Sequence, residues 1–332
     1  MIKVAKHFSH VGALIAVSTL VGCGGGAETK TDPTQYNPQA PVSDWKLVWS
    51  DEFDGTSIDG QKWTHEVNCL GGGNEEKQCY TDNEANSFVS DGTLKIVALP
   101  AEEGAEKPYT SARMVTKNKA DFKYGRFEVR AKLPSGQGSW PAFWLLPTDE
   151  VYGGWPKSGE IDIVEAVNLK AKDAEGNPES HVYGTLHYGK DWPDNVNSGK
   201  AYKLPDGANP ADDFHTYAIE WSDNLIHWFI DGEHHMTVGA EHYYSYYYAG
   251  MNEGFTNGGE SAPFDVPFHL LINLAVGGNL PGTVNNADIP SEMVVDYVRV
   301  YRCTYDNDGG RGCNSNVNRL LERPGAQEPV TP

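Results

Sequence analysis

Residues 124–133 read YGRFEVRAKL, a stretch in which apolar and charged side chains alternate. A period of two places alternate side chains on opposite faces of a sheet, so this stretch predicts a half-buried β-strand. Residues 217–221 and 226–230 repeat the pattern on either side of residues 222–224 (SDN), which predicts a hairpin. Residues 94–99, 182–188, 268–276 and 293–301 also read as strands. Many short strands without connecting helices predict an all-β fold, an antiparallel β-sandwich of the jelly-roll kind.

The composition excludes several classes of protein. The 332 residues carry 26 Lys and Arg against 46 Asp and Glu, a formal net charge of −20. This charge repels a phosphate backbone and no basic run offsets it, so we expect no nucleic-acid partner. The 36 Gly, 20 Pro, 17 Tyr and 9 Trp describe a chain rich in turns and rings, which argues against disorder and against a helical bundle. One large β domain with appendages, monomeric by default, fits the length.

The N-terminus predicts an export signal over residues 1–22. Lys3 and Lys6 precede an apolar run over residues 11–21, which is shorter than the roughly 18 residues that span a bilayer. The alternative is a buried N-terminal helix, which three following glycines disfavour. Residues 20–23 (LVGC) resemble the bacterial lipobox, which implies that Cys23 carries a lipid anchor on the outer membrane or cell surface, with the periplasmic face as the alternative. Residues 23–43 then form a flexible tether.

The cysteine count supports this reading. Five cysteines are an odd number, and the lipid on Cys23 accounts for one of them. Of the three ways to pair the other four, the pairs Cys69 with Cys79 and Cys303 with Cys313 close the shortest loops and are favoured in an oxidising compartment. A zinc site is the alternative, but no Cys-x-x-Cys pair is present. We therefore predict a catalytic domain over residues 44–303 and a surface tail over residues 304–332.

Residues 159–166 (GEIDIVEA) place three acids on a strand that otherwise has the composition of a buried one. Glu160 and Asp162 share a face, whereas Glu165 faces the other way if the strand is regular. A one-residue bulge near Ile163 and Val164 would bring all three carboxylates to one cleft.

Such a cleft suits glycoside hydrolysis. Acids crowded near apolar groups repel, so at least one of them should keep its proton. A retaining glycosidase needs one ionised carboxylate as nucleophile and one protonated carboxyl about 5–5.5 Å away. The alternatives are a solvated edge strand and a calcium cluster, although calcium loops favour Asp, Asn and Gly in turns.

The acidic strand resembles the signature of glycoside hydrolase family 16, in the longer form with a bulge residue that the laminarinase-like branch carries. Seven further motifs resemble sequences of the same family and occur in the same order along the chain. They are residues 49–55 (WSDEFDG), 109–113 (YTSAR), 124–128 (YGRFE), 139–144 (SWPAFW), 184–189 (GTLHYG), 273–278 (NLAVGG) and 295–301 (VDYVRVY). The resemblance covers about residues 45–302. It implies a concanavalin A-like jelly roll whose concave sheet holds a glycan cleft.

The resemblance also implies an activity. It gives Glu160 the role of nucleophile, Asp162 that of assisting acid and Glu165 that of general acid/base. The expected reaction is retaining endo-hydrolysis of β-1,3-glucan of the laminarin type, with mixed β-1,3/1,4-glucan as a secondary substrate. The alternatives are a lichenase, agarase or carrageenase of the same family, or a glucan-binding lipoprotein without catalysis.

Six residues are candidates for the cleft walls, because sugars bind through flat CH faces and hydroxyl rims. The resemblance implies substrate contacts for Asn74, Arg113, Trp140, Trp144, Trp155 and His187. Each has an ordinary alternative: core packing for the tryptophans, surface roles for the asparagine and arginine, and a structural role for the histidine.

Two further features remain. The resemblance implies a structural calcium site at Glu52, Gly92 and Asp296, away from the cleft, although a salt bridge or backbone donors would satisfy Asp296 equally. Residues 241–265 contain six Tyr and Phe rings before Gly258, which predict a wall or lid of the cleft or, alternatively, a self-packed loop.

Overall fold

The computed structural model describes residues 45–304 and 309–315. The predicted export signal, the lipid on Cys23 and the tether lie outside the described residues. Within the described part of the chain, no helix is long and apolar enough to cross a membrane.

The described chain is built from β-strands with a few 3-10 turns. The strands are β1 (Trp45–Asp51), β2 (Thr64–His65), β3 (Gln78–Tyr80), β4 (Ser87–Ser90), β5 (Thr93–Pro100), β6 (Tyr109–Ser111), β7 (Arg113–Val115), β8 (Asp121–Phe122), β9 (Gly125–Lys132), β10 (Ser139–Pro147), β11 (Glu160–Glu165), β12 (His181–Tyr188), β13 (Val196–Lys203), β14 (His215–Ser222), β15 (Leu225–Ile230), β16 (Glu233–Gly239), β17 (Tyr246–Tyr248), β18 (Phe255–Asn257), β19 (Phe268–Val276) and β20 (Ser291–Cys303). Short 3-10 helices occupy Gly71–Gly73, Pro205–Gly207, Ala240–His242, Asn286–Asp288 and Arg311–Cys313.

The strands form two large sheets. The front sheet has the order β13-β12-β11-β10-β19-β7-β2, with β8 beside β19. The back sheet has the order β16-β15-β14-β9-β20-β5-β6-β3, with β1 beside β20 and β4 beside β5. All pairings between these strands are antiparallel except that of β3 with β6. The predicted antiparallel sandwich is therefore confirmed, and β17 and β18 add a separate hairpin.

The core lies between the sheets. The alternation that predicted β9 is realised, because Phe127, Val129 and Ala131 are buried while the charged residues between them are half-buried. The predicted hairpin is also confirmed: Ser222 pairs with Leu225 at the turn between β14 and β15.

One contact ties the back sheet to the acidic strand. Trp228 of β15 donates its indole N–H to the backbone carbonyl of Asp162 at 2.9 Å. A Cβ at Gly184 of β12 would lie 2.6 Å from the Trp228 ring, so only glycine allows this close approach. The core therefore fixes the backbone of β11 from below.

Both predicted disulfides are present, joining Cys69 to Cys79 and Cys303 to Cys313. The second disulfide ties residues 309–315 to the end of β20, and the Ser315 amide donates a hydrogen bond to Glu220 of β14 at 2.7 Å. This part of the predicted surface tail is docked on the domain, because a covalent bond and hydrogen bonds hold it there.

Candidate active site

Strand β11 contains the predicted irregularity. From Asp162 to Glu165 the strand advances three residues while its partner β12 advances two. On the β10 side, adjacent residues oppose Asp162 and Val164, so Ile163 is the extra residue. The bulge at Ile163 and Val164 is thereby confirmed, and both of these side chains are buried.

The bulge brings the three acids to one side of the front sheet. Glu160, Asp162 and Glu165 all line a single cavity of about 800 Å³. A regular strand would have turned Glu165 into the core between the sheets. The shared face of the three carboxylates is therefore a direct product of one inserted residue.

Each outer acid accepts a hydrogen bond from a different indole. Trp140 of β10 donates its Nε1–H to Oε2 of Glu165 at 3.0 Å. Trp155, from the loop before β11, donates to Oε2 of Glu160 at 2.7 Å. The two tryptophans thus orient the acids as well as presenting rings to the cavity.

The electrostatics favour retention of protons in this cluster. Burial raises the pKa of Glu165, and the charge of Glu160 adds to the rise, while the Trp140 N–H and His187 partly offset it. Burial, followed by the charge of Glu160, raises the pKa of Asp162 well above its usual value. Glu165 is therefore suited to donate a proton near neutral pH. The carboxylate charge that acts on Glu165 is that of Glu160.

His187 is the cation of the cluster. Its Nε2 lies 3.3 Å from Oδ2 of Asp162 and 3.9 Å from Oε1 of Glu160, which it faces across the strand pair. Burial lowers the pKa of His187, but the neighbouring acids outweigh that effect and raise it to about 9. The imidazolium therefore offsets part of the negative charge on the middle of β11.

The same residues form the metal-competent group of the described chain. Donor atoms of Glu160, Asp162 and His187 lie within 4.8 Å of one another. A histidine must be neutral to bind a metal, and a pKa of about 9 keeps His187 protonated at neutral pH. The arrangement therefore favours an ion pair over a metal centre.

Trp144 is held by polar groups on its edge and on one face. Its Nε1–H donates to Oδ1 of Asn273 at 2.7 Å. The guanidinium of Arg113 lies 4.6 Å above the Trp144 ring and forms a 2.9 Å salt bridge with Glu66. Arg113 therefore covers one face of this ring.

All six predicted wall residues line the cavity: Asn74, Arg113, Trp140, Trp144, Trp155 and His187. Their contacts with a sugar stay a prediction, but none of them is placed elsewhere by the fold.

Other residues that line the cavity were not predicted from the sequence. Asn273 and Glu76 both line the cavity, and Tyr80 links them, receiving a hydrogen bond from Asn273 at 3.1 Å and donating one to Glu76 at 3.2 Å. Trp192 stands at the rim with 73% of its surface exposed. Asn273 was detectable as the one amide within an apolar strand, and Trp192 as a ring in a polar loop.

No residue of the ring-rich stretch 241–265 lines the cavity, so the stretch is not a wall of it, and the lid stays a prediction. Tyr243 and Phe264 pack against Tyr188 of β12 instead. A Cβ at Gly159, whose φ is +88°, would lie 2.9 Å from Phe264. Phe264 therefore supports the backbone just before Glu160 from behind, because a buried apolar ring is more favourable than an exposed one.

The predicted calcium ligands lie on the back sheet. Asp51 of β1 pairs with Val298 of β20, and Leu94 of β5 pairs with Val295 of β20. Glu52, Gly92 and Asp296 are close to these paired residues in sequence, so they lie near one another along β20. The two carboxylates face arginines there: Arg299 contacts Glu52 at 2.8 and 3.1 Å, and Arg130 contacts Asp296 at 2.8 Å. The salt bridge named as the alternative for Asp296 is thus present, and calcium stays a prediction.

Comparison with known proteins gives the family. The sequence model described as "Beta-porphyranase A-D, GH16 domain" matches residues 45–303. The chain belongs to glycoside hydrolase family 16. Within this family, the chain is 37% identical over 310 residues to the β-glucanase of Rhodothermus marinus, covering 91% of this chain and 97% of that enzyme. It is 41% identical over 290 residues to glucan endo-1,3-β-glucosidase A1 of Niallia circulans, covering 82% of this chain but only 39% of that relative.

The fold comparison agrees with the family assignment. The X-ray structure of the laminarinase from Rhodothermus marinus superposes with a TM-score of 0.66 at 40% sequence identity. The match covers 79% of this chain and 99% of the family 16 laminarinase.

Proposed function

We propose that the protein is a retaining endo-β-1,3-glucanase that acts on laminarin-type glucan, with mixed β-1,3/1,4-glucan as a secondary substrate. The observation that carries this proposal is the bulge, which places Glu160 and Glu165 in one cavity with different environments. The names of the relatives, β-glucanase, glucan endo-1,3-β-glucosidase and laminarinase, support the choice of substrate.

The two outer acids divide the reaction. Ionised Glu160 attacks the anomeric carbon and forms a glycosyl-enzyme ester, while Glu165 gives its proton to the departing glycosidic oxygen. Glu165 then takes a proton from water, and the resulting hydroxide attacks the anomeric carbon and releases Glu160. Two displacements return the original anomeric configuration.

The neighbouring groups prepare this sequence. The Trp155 N–H holds Glu160 at 2.7 Å, and the Trp140 N–H holds Glu165 at 3.0 Å, so both acids are oriented before substrate binds. Asp162 and His187 form an ion pair between them, which places a cation 3.9 Å from Glu160. The indole rings offer flat surfaces to sugar CH faces on both sides of the acids.

Parallel assays separate the candidate substrates. Reducing ends should appear fastest from laminarin and more slowly from lichenan, and agarose and carrageenan should stay intact. The net charge of −20 opposes binding of sulfated galactans, which favours neutral glucan. Preferred cleavage of agarose or carrageenan would reassign the substrate within the family, and binding of laminarin without any cleavage would favour a glucan-binding lipoprotein.

Chemical rescue tests the roles of the acids. In a Glu165→Ala variant, azide should take the place of the water that attacks the glycosyl-enzyme intermediate. The product from an activated substrate should be a β-glucosyl azide, since azide attacks the sugar on the face opposite Glu160. An α-glucosyl azide would contradict retention.

Two further proposals follow from the sequence. We propose a lipid on Cys23 that anchors the exported protein, and a structural calcium ion at Glu52, Gly92 and Asp296. A Cys23→Ser variant should leave the membrane fraction for the soluble fraction. Unchanged membrane association would overturn the lipid proposal.

A further inference from the structure

A second aromatic surface lies outside the cavity, on the hairpin formed by β17 and β18. Strand alternation turns Tyr247 inward, where it meets Tyr152 edge to face, and turns its neighbours outward. Tyr246, Tyr248 and Phe255 are 37%, 55% and 64% exposed. We call these three rings the hairpin strip.

The three rings form one continuous surface. Tyr246 stacks on Phe255 with ring centres 5.5 Å apart and planes inclined by 15°. Tyr248 lies directly across the strand pair from Phe255, with ring centres 5.4 Å apart. Side-by-side exposed rings of this kind cost solvation free energy unless a partner covers them.

The hairpin strip is attached to the rim of the cavity. The Tyr246 amide donates to the Gly189 carbonyl at 2.9 Å, and Ser245 donates its hydroxyl to the Lys157 carbonyl at 2.7 Å. Residue 189 directly follows the strand that carries His187, and residue 157 lies just before Ser158, which lines the cavity.

A short series of side chains connects the two surfaces. Trp192 lines the cavity rim, and the adjacent Asp191 is fixed by a 2.8 Å salt bridge to Lys157. The ammonium of Lys190 lies 5.5 Å above the Tyr246 ring. The loop over residues 189–192 therefore runs from the cavity to the hairpin strip.

We infer that the hairpin strip, reached through Trp192, binds the part of a long β-glucan chain that extends beyond the cavity. The inference rests on the proposed function. Neutral sugars present the flat CH faces that exposed rings bind, and the strip continues a surface already lined with tryptophans.

Other occupants fit less well. Three rings offer far less than the roughly 800 Å² per partner of a stable protein interface. A net charge of −20 opposes approach to an anionic membrane surface. A neutral polysaccharide meets neither obstacle.

The experiment compares three proteins in a Glu160→Gln background, so that bound polymer is not cut. The proteins are the parent, a Tyr248→Ala/Phe255→Ala double variant, and a Met251→Ala control in the same hairpin, where Met251 is 96% exposed. We expect the double variant to bind insoluble β-1,3-glucan about 3- to 10-fold more weakly, and the control to bind like the parent.

Activity separates this inference from the proposed function. With Glu160 restored, the double variant should cleave a short laminari-oligosaccharide at the parent rate, because that substrate does not reach the hairpin, and should show a raised KM on polymer. A parent that cleaves no laminarin would refute the proposed function. If the parent cleaves laminarin but the double variant binds polymer normally, only the role of the hairpin strip is refuted. The same holds if the double variant loses vesicle binding or dimer formation while its polymer binding is unchanged.

Discussion

The two sheets treat buried acids in opposite ways. On the back sheet, three half-buried or buried acids face arginines: Glu220 with Arg126, Asp296 with Arg130 and Glu52 with Arg299. On the front sheet, the three acids of β11 have indole N–H groups and one histidine as partners, and no salt bridge of the described residues joins them to arginine or lysine.

This difference distinguishes acids that stabilise the fold from acids that can transfer protons. A guanidinium satisfies a carboxylate permanently and keeps it ionised, which stabilises the fold and leaves no proton to transfer. Burial without such a partner raises the pKa of Glu165, so this group can hold and release a proton. The acids to which we give the catalytic roles are therefore those without an arginine partner among the described residues.

The largest predicted effect is on catalysis. Glu160→Gln should lower kcat on laminarin by at least about 10³-fold with little change in melting temperature, because an amide cannot attack the anomeric carbon. Initial rates and thermal melts measure both. The matched back-sheet change Glu220→Gln should leave kcat of the folded protein unchanged, and a comparable loss of kcat there would remove the distinction between the sheets.

The free energy of unfolding should fall when the back-sheet acid is replaced and not when an acid of β11 is replaced. Glu220 is fully buried beside Arg126, so Glu220→Gln should cost about 3 kcal/mol of unfolding free energy and lower Tm by roughly 9 °C. Glu165→Gln should instead raise Tm at pH 7, since it removes a charge that burial disfavours. Destabilisation by both variants would show that the acids of β11 also hold the fold.

The Tm gain expected for Glu165→Gln depends on pH. The pKa of Glu165 is higher in the folded protein than in the unfolded chain, so the stability it contributes is full below the unfolded pKa and is lost as pH rises through the folded pKa. The Tm gain of Glu165→Gln should therefore disappear below about pH 4. Thermal melts at pH 3.5 and pH 7 measure the difference.

A smaller effect concerns the pH profile of kcat/KM. Trp140→Phe removes the N–H donor that lowers the pKa of Glu165, so the basic limb of the profile should move to higher pH. Trp155→Phe is the control, because its N–H contacts the other acid. Equal movement of the basic limb in both variants would assign that limb to a group other than Glu165.

The smallest effect tests the proposed calcium ion on the back sheet. Calcium at about 100 times its dissociation constant should raise Tm by roughly 5 °C over EDTA-treated protein, with kcat unchanged. A Tm that is identical with calcium and with EDTA would show that the arginine contacts to Glu52 and Asp296 suffice.

The sequence predicted the fold and the acids because both follow from local patterns. The period of two in β9 and in the β14–β15 hairpin survives unchanged in the structure. The bulge was predictable because three acids on a buried-type strand make sense only if Glu165 shares the face of Glu160.

Long-range contacts set the limit of the sequence argument. Nothing near Trp144 in sequence indicates that Arg113 would cover its face or that Asn273 would fix its edge, because these partners come from strands far apart in the chain. The rings of residues 241–265 likewise could not be assigned to a wall or to a support without knowing where Tyr188 and Gly159 lie.

The most direct test of the account is the anomeric configuration of the first product. Proton NMR during the first minutes of laminarin cleavage should show new reducing ends in the β form, followed by slow mutarotation, because Glu160 and Glu165 act on one sugar by two displacements. New reducing ends that appear first in the α form would contradict the roles given to the two acids of the bulged strand.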